Sequence, residues 1–442
     1  MKLIPLKPRR ANGGYDSAAT TRGNARRWRY ADGLSADAAA SPQIRRIQRQ
    51  RARYVFANNS YASGIIQTLA NDTVGIGPRL QLLTRDANLN RQVELDFSAW
   101  ATEIGLPEKL RTMRMARCCD GESFALLMTN PARFHPVQLD LELIEADRVS
   151  SPMTAFNNDN EIDGIILDQY GNPSQYRVLK KHPGDGLTML GLSDADYKVF
   201  PASSIIHSFR AIRPGQHRGI SEIAPALEIF EMMRSYTHAV LLSAETAAAH
   251  SIFIYSDASP SEFEAKEPEA FDYINIEHGM AVTLPGGWKA GQIRPEQPAT
   301  SYSEFIDKNL NHVARCLNMP FNIAAGNSSG YNYASGRLDH QTYYKSLRVD
   351  QAYIGSCILD RILQVWLLEY GLINGLIPLS GNRLPPHQWF WDGHEHVDPK
   401  KEADAQSIRL SNRTTTYAAE YAKVGKDWEE EFNQIAREQA KM

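Results

Sequence analysis

The sequence predicts an α+β protein in which long helices accompany a region of short strands. Apolar residues spaced by three and four dominate residues 42–104 and 221–370, which indicates amphipathic helices. Residues 121–212 instead contain short β-rich runs separated by turns. The chain has 442 residues, 43% of them hydrophobic, and therefore exceeds the size of one hydrophobic core. Two or more folded domains are expected.

The N-terminal region is strongly basic, although the whole chain has a net charge of −3. Residues 1–53 hold 13 Lys/Arg against three Asp, a net charge of +10, whereas the remainder holds 35 Lys/Arg against 48 Asp/Glu. Residues 1–40 lack apolar periodicity and are expected to form a flexible arm. This arm could bind nucleic acid or dock on an acidic neighbouring chain. The acidic body argues against a protein that holds DNA tightly.

The first folded segment is predicted to contain two helices and a strand. Apolar spacing indicates one helix from Pro42 to Asp72 and another from Leu89 to Ile104, the second carrying Phe97 and Trp100. Between them, VGIGPRLQLLT (74–84) is typical of a turn followed by a strand.

The β-rich region contains five predicted strands, SFALLMT, VQLDLELI, GIILD, SQYRVL and SSIIHSFR. The turn Gly171-Asn172-Pro173 separates the third run from the fourth, as a hairpin requires. A second helical region follows. Ser221 is a candidate N-cap for a long helix that ends near His250.

Two further helices are predicted, Tyr302–Leu317 and Arg337–Tyr370, and the second of them is the longest in the chain. The insert before them holds a strand at SIFIY (251–255), acidic residues at 262–272 and the stretch VTLPGGW (282–288). From Asp398 onward the chain is highly charged and mainly helical in pattern.

A polar loop between the last two of these helices is the most informative segment. After Met319-Pro320 the chain is dense in Gly, Ser, Asn and Tyr until the long helix begins. Its apolar content is too low for a core, and its neutral side chains could slide over a polar partner without gripping it. We therefore expect the loop to face a moving partner.

This loop also contains Gly326-Asn327-Ser328-Ser329-Gly330, which matches the G-x-S-x-G pattern of a hydrolase nucleophile elbow. An elbow requires a strand before the Ser, a helix directly after it, and downstream acid and His partners. His387, His394 and His396 do lie downstream, but a helix and Pro320 replace most of the strand. A serine hydrolase that uses Ser328 is the alternative function from another class.

Metal, nucleotide and redox chemistry have little support in the sequence. His394-Glu395-His396 could offer two imidazoles to a metal, but no further ligand is spaced to join them, so a surface loop is favoured. No Walker A motif and no G-x-G-x-x-G motif occur, and we expect no cofactor. The four cysteines form no metal-spaced set; the adjacent pair is expected to be buried thiols, with redox chemistry as the alternative. They are Cys118, Cys119, Cys316 and Cys357.

Seven stretches, in one order, resemble the lambda family of phage portal proteins, and the resemblance extends over nearly the whole length of the chain. They are NNSYASGIIQTLANDTVGIGPRLQ (58–81), IEADRVSSP (144–152), DGIILDQYGNPSQYRV (163–178), RPGQHRGISEIAPALE (213–228), LPGGWKAGQIRPEQPATSYSEF (284–305), LNMPFNIAAGNSSGYNYASGR (317–337) and W-x-W-D-G-x-x-x-x-D-P-x-K-E-A (389–403).

The resemblance implies a portal fold, with a mixed α/β wing, long stem helices, a small α/β clip and a helical crown, assembled as a ring. It implies the following parts: wing 41–220, stem helices 221–250 and 301–318, clip 251–300, tunnel loop 319–336, wing helix and return 337–397, and crown 398–442, after the arm 1–40. It also implies two sets of contact residues. Those facing DNA would be Asn322, Asn327, Ser328, Ser329, Tyr331, Asn332, Tyr333 and Arg337, and those of the clip Glu262, Glu264, Lys266, Glu267 and Trp288.

The function implied by the resemblance is structural rather than enzymatic. A head-tail connector, usually a dodecamer, would surround double-stranded DNA during packaging and ejection. The terminase large subunit would dock on it first and head-completion or tail adaptor proteins later, while major capsid and scaffold proteins would surround it. Such a subunit is made in the host bacterial cytoplasm and resides in the virion at the capsid portal vertex. No membrane partner is expected, because no apolar run approaches about 20 residues.

Overall fold

The computed structural model describes residues 16–18, 21–152, 160–185, 194–248, 252–256, 288–292, 301–330, 332–375, 383–392, 399–423, 426 and 428–442. The chain divides into two compact units. The first unit combines Met1–Arg51, Val74–Ser221 and Gln351–Met442, and the second combines Ala52–Thr73 and Glu222–Asp350.

Helices make up most of the described chain. In chain order they are α1 (Ala36–Ala39), α2 (Pro42–Asn58), α3 (Ser60–Val74), α4 (Ala87–Glu103), α5 (Leu106–Asp120), α6 (Leu227–Ala248), α7 (Ser301–Cys316), α8 (Phe321–Ala325), α9 (Tyr333–Ile354), α10 (Asp360–Ile373), α11 (Pro399–Ser411), α12 (Tyr417–Lys423) and α13 (Trp428–Gln439).

The described strands all pair antiparallel, which agrees with the predicted α+β class. In chain order they are β1 (Arg79–Leu82), β2 (Glu122–Thr129), β3 (Leu139–Ile144), β4 (Glu161–Ile162), β5 (Ile165–Leu167), β6 (Pro173–Leu179), β7 (Tyr197–Pro201), β8 (Ile205–Phe209), β9 (Ile252–Ser256), β10 (Trp288–Gln292) and β11 (His387–Phe390).

Three small sheets lie in the first unit, in the orders β3-β2-β8, β4-β5-β6-β7 and β1-β11. All five β runs predicted between residues 121 and 212 are confirmed, and β4 and β7 are additional. The β5–β6 hairpin turn is confirmed as well: Gly171 has φ +81, and Asp168 N–H donates to the Asn172 carbonyl at 2.8 Å.

Two helix predictions were wrong in their bounds. The helix predicted from Pro42 to Asp72 is broken at Asn59, because the Asn59 side chain accepts a hydrogen bond from Ala62 N–H (3.1 Å) and starts a new helix. The predicted helix Arg337–Tyr370 begins earlier, at Tyr333, and widens into a π-helical segment at Gly355–Leu359 before α10 continues it.

The sequence pattern missed helix α5. Its buried face includes Arg114, Arg117 and Asp120 beside apolar residues. The apolar residues alone therefore do not show the helical spacing from which a buried helix face is recognised in a sequence. Ser221 was also misassigned as an N-cap. Its hydroxyl is buried and donates to the Cys118 carbonyl (3.1 Å), and the chain turns helical only at Ala224.

The main hydrophobic core of the first unit forms around α4 and α10. Phe97, Trp100 and Trp366 pack with ring centroids 5.2–6.3 Å apart, and Trp100 Nε1–H donates to the Leu139 carbonyl (2.8 Å). Cys118 and Cys119 are buried free thiols, as predicted. A second cluster, which includes Phe124 and Ile165, lies between the two larger sheets.

A buried ion pair joins the segments around these sheets. Glu122, at the start of β2, and Arg218 are both fully buried. The Arg218 guanidinium donates to both carboxylate oxygens of Glu122, at 2.6 and 2.8 Å, and the His207 Nε2–H donates to the same carboxylate (3.1 Å). Burial alone would raise the pKa of Glu122, but the Arg218 charge and these hydrogen bonds hold that pKa well below its usual value.

The other donors of Arg218 extend this network. Arg218 Nη1 donates to the Val149 carbonyl (3.1 Å) and to Asp163, and Asp163 also forms an ion pair with Arg45 of α2. Arg49, one turn along α2, lies 3.0 Å from Asp147. The pair therefore connects α2, β2, β8 and the turn before β5.

Two glycines allow the backbones to meet at this ion pair. A Cβ on Gly219 would lie 2.0 Å from the Gly121 carbonyl oxygen, and a Cβ on Gly121, where φ is +90, would lie 2.3 Å from the Ile220 carbonyl carbon. Larger residues would separate the two segments and lengthen the bonds between Glu122 and Arg218.

The end of the basic arm is attached to the first unit. Asp37 accepts hydrogen bonds from His217 N–H (2.9 Å) and from His217 Nδ1 (2.8 Å), and Arg213 donates to the Leu34 carbonyl (2.9 Å). Ala36 and Ala40 are buried. Residues 34–40 thus contact the 213–217 segment, and we propose that the arm ends before Leu34.

We predict that Arg218→Met lowers the free energy of unfolding by about 3–5 kcal/mol, because it leaves the Glu122 carboxylate buried without its main partner. Chemical denaturation of the purified protein would measure this loss. Arg234→Met is the control, since that guanidinium lies on the surface and bonds only Tyr54 among the contacts described. Wild-type stability in Arg218→Met would show that the ion pair does not hold the unit together.

Candidate functional site

In the second unit, an antiparallel helix pair leads into the polar loop. Near the start of α7, Tyr302 stacks on Tyr236 of α6 and Phe305 packs against it at a tilt, with centroid distances of 5.9 and 4.3 Å. At its other end, Cys316 Sγ donates to the Glu222 carbonyl (3.0 Å). The helices predicted at these positions are confirmed.

The irregular part of the loop is shorter than its composition predicts. Helix α8 forms within it and ends at Gly326, whose left-handed conformation (φ +63) directs its N–H to the carbonyls of Asn322 and Ile323. Helix α9 then begins at Tyr333. We call residues 326–332 the polar segment; its described residues, 326–330 and 332, have no regular structure.

The expected DNA-facing residues are distributed over α8, the polar segment and α9. Asn322 is partly buried on α8, and Arg337 is exposed on α9. Tyr331 lies outside the described residues, as does the side chain of Tyr333. The remaining expected residues are exposed in the polar segment: Asn327, Ser328, Ser329 and Asn332.

Hydrogen bonds within the second unit shape this site. The Asn322 side-chain amide lies 3.1 Å from His340 Nε2 on α9 and donates to Ser328 Oγ at the long distance of 3.4 Å. Asn327 Oδ1 accepts from Ser329 N–H at 2.9 Å. Residues 321–336 contain no Lys, Arg, Asp or Glu, so the site offers neutral dipoles without a net charge.

The nucleophile-elbow interpretation fails on this geometry. Ser328 follows a helix rather than a strand, and the next helix starts only at Tyr333. The described neighbour of its hydroxyl is the Asn322 amide, which cannot act as a general base. His387, a proposed partner, belongs to the first unit, where its two nitrogens contact the Pro385 carbonyl and Asp360.

The clip residues are only partly described. Trp288 opens β10 and is paired with Ser256 in a two-stranded sheet formed by β9 and β10. The strand predicted at 251–255 is therefore confirmed as Ile252–Ser256. The other expected contacts lie outside the described residues: Glu262, Glu264, Lys266 and Glu267. Most of VTLPGGW also lies outside, as do His394 and His396.

One group that could hold a cation was not found from the sequence, because its members are far apart in the chain. Glu145, Asp147 and His182 bring three ligand atoms within 4.8 Å of one another. His182 Nδ1 accepts the Gly184 N–H (3.0 Å), so the proton of a neutral ring lies on Nε2, the atom that faces Glu145 (3.0 Å). Because Nε2 carries that proton and Arg49 already forms an ion pair with Asp147, this arrangement disfavours metal ligation.

Within the part of the chain that is described, no helix combines the length and apolar character needed to cross a membrane. A mixed α/β body, an antiparallel helix pair and an uncharged loop agree with the portal fold that the sequence resemblance implies.

Comparison with known proteins identifies the family. Residues 21–351 match the family described as "Phage portal protein, lambda family", so the chain belongs to that family. It is 26% identical over 421 residues to the "Probable portal protein" of Halomonas phage phiHAP-1, which covers 88% of this chain and 79% of the relative. It is 21% identical over 461 residues to "Portal protein B" of Escherichia phage lambda, covering 91% and 85%.

The fold agrees with this assignment. A chain in the "Neck of native GTA particle computed with C12 symmetry" superposes with a TM-score of 0.52 at 12% identity, covering 87% of this chain and 94% of that one. As a portal protein, the chain is a ring-forming, non-enzymatic component of the phage particle at the capsid vertex.

We predict that Ser328→Ala leaves ring formation and packaging unchanged, because the hydroxyl makes only a long contact with Asn322. DNA packaged per particle, measured in a defined packaging reaction, and hydrolysis of a chromogenic ester would be compared with wild type. A wild-type esterase activity that disappears together with packaging in Ser328→Ala would restore the hydrolase alternative.

Proposed function

We propose that double-stranded DNA passes through the ring beside the polar segment of each subunit. The observation that carries this proposal is a stretch without a single charged residue from 321 to 336, whose described residues 326–330 and 332 are exposed and which follows the α6–α7 helix pair. Asn322 and Arg337 flank the segment on the helices that precede and follow it.

The electrostatics of DNA support this role. A duplex carries one negative charge per about 1.7 Å of axis, so cationic side chains around it would bind phosphates and slow its movement. Asn and Ser side chains can contact the backbone weakly and without reading sequence. A neutral lining is therefore suited to a partner that must move in both directions, inward at packaging and outward at ejection.

The module formed by β9 and β10 is proposed to be the docking face for the packaging motor. No nucleotide-binding motif occurs in this chain, so ATP hydrolysis must come from another protein, in our proposal the terminase large subunit. Head-completion or tail adaptor proteins would use the same face later. Trp288 and the charged residues Glu262, Glu264, Lys266 and Glu267 are its proposed contacts.

A ring of twelve copies is proposed from the family and from the twelvefold symmetry named for the similar neck structure. Major capsid and scaffold proteins would surround the ring at its vertex. The basic arm before Leu34 is proposed to dock on an acidic surface of a neighbouring chain, since residues 1–33 hold eight Lys/Arg against two Asp.

We predict that replacing Asn327, Ser328 and Asn332 together with Lys slows or stalls DNA translocation. Each neutralised phosphate contributes about −0.9 to the slope of log affinity against log salt, so the effect should be largest at low ionic strength and relieved by added salt. Single-particle packaging rates at several salt concentrations would measure it.

The matched control introduces Lys at three exposed, neutral positions of the first unit, Gln43, Gln50 and Gln169. Both variants should form rings, because none of these side chains is buried. If the polar-segment variant packages at the wild-type rate in low salt, residues 326–332 do not face the duplex, although the family assignment would stand.

We further predict that deletion of residues 1–33 leaves rings intact but weakens their incorporation into capsids, and that high salt reproduces this defect in the full-length protein. A deletion of residues 1–40 should in addition destabilise the subunit, because it removes Asp37 and the buried Ala36 and Ala40. Electron microscopy of rings and capsids would separate the two effects. A loss of stoichiometric DNA binding on deletion would instead make the arm a nucleic-acid contact.

A further inference from the structure

One aromatic side chain of the first unit is almost fully exposed although the loop that carries it is firmly held. Phe134 is 97% exposed between β2 and β3. On one side, Arg133 donates twice to Asp140, at 2.6 and 2.9 Å, and on the other, Gln138 N–H donates to Glu369 (2.6 Å). The Phe134 N–H itself donates to the Glu103 carboxylate at 2.8 Å.

The anchor of this loop is strongly ionic. Asp140 is buried and accepts hydrogen bonds from Lys109, Asn130 and Arg133. These bonds hold its pKa well below the usual range against the opposing effect of burial. Because the backbone of the loop is already ordered, burying the Phe134 ring against a partner would cost little conformational entropy.

The same unit contains an open cavity of about 400 Å³ between β1 and the helices α4 and α5, with an apolar wall that is flanked by the polar side chains of Arg79, Gln81 and Glu94. Two of its rim residues are exposed, Ile76 (69%) and Leu95 (56%). The cavity is large enough for a benzyl group, since about 150 Å³ suffices to hold benzene. Other apolar side chains that line it are Leu80, Phe97, Leu106 and Pro107.

The loop and the cavity lie on opposite sides of α4. On α4, the residues that line the cavity are centred on Ser98, whereas the residue that binds the loop is Glu103. Five residues along an α-helix correspond to a rotation of about 140°. A projection on one flank and a cavity on the other are the two halves of a heterologous, head-to-tail contact, the type of interface that closes a ring.

We propose that Phe134 of one subunit inserts into the cavity beside Leu95 of the next subunit in the ring. The occupant is a second copy of this chain, because the protein forms rings and each copy offers both the projecting side chain and the cavity. Within the described residues of a single copy, Phe134 and the cavity are both unfilled, and in our proposal ring closure fills every cavity.

The first test is the assembly of Phe134→Asp. The substitution leaves the subunit fold intact, since the aromatic side chain makes almost no contact within its own chain. It replaces an apolar group with a carboxylate at the proposed contact with the apolar wall formed by Leu80, Leu95 and Phe97. The protein concentration needed for half-maximal ring formation, measured by light scattering, should rise by about tenfold or more. Tyr170→Asp is the matched control, because Tyr170 is an aromatic residue exposed to 79% in another hydrogen-bonded turn.

The second test detects the contact directly. A chain carrying Phe134→Cys and Leu95→Cys should form a reducible ladder of covalent dimers and larger multiples under mild oxidation, whereas each single substitution, and Tyr170→Cys combined with Leu95→Cys, should remain monomeric on the same gel. Wild-type assembly of Phe134→Asp, or rings of the double-cysteine variant that yield only monomer, would overturn the proposal. Normal rings of Phe134→Asp that fail to enter capsids would assign Phe134 to a capsid partner instead.

Discussion

The buried ion pair between Glu122 and Arg218 is the constraint on which the first unit depends. A buried ion pair is stable only when close contact between the two groups and further hydrogen bonds compensate the free energy lost on removing both charges from water. Here both carboxylate oxygens are occupied, and the remaining guanidinium donors reach carbonyl and carboxylate oxygens of the 146–163 region. Segments that are distant in sequence must therefore meet at one point, and the direct contact between Gly121 and Gly219 is the backbone consequence.

The two units differ in where they carry charged side chains. In the first unit, charged groups hold rigid features: Glu122 and Arg218 join β2 to the 213–219 segment, and Asp140 anchors the loop of Phe134. In the second unit, the polar segment carries no charge at all. In our proposals, the contact with neighbouring subunits and the uncharged surface beside DNA belong to different parts of the chain, and the two roles are therefore compatible.

Patterns with local causes were predicted well. The β5–β6 hairpin follows from its Gly-Asn-Pro turn, and the helices α6, α7 and α9 follow from apolar spacing. Sequence-based predictions failed where a residue interacts with a partner that is distant in the sequence. Ser221 has the chemistry of an N-cap, but its hydroxyl is used by the Cys118 carbonyl, and α5 is hidden because Arg114 and Arg117 are buried on its inner face. Ser328 matched a short catalytic motif whose required strand is absent from its place in the described fold.

The sequence by itself determined the class, the family and the uncharged character of the polar loop, because these depend on residue identity and order along the chain. The tertiary structure alone decided that Arg218 lies on Glu122, that residues 34–40 belong to the body, and that Phe134 and the cavity near Leu95 occupy opposite sides of α4. These features join residues separated by tens to hundreds of positions. The local spacing of residues does not predict these contacts, because they form only when the packed sheets and helices bring the partners together.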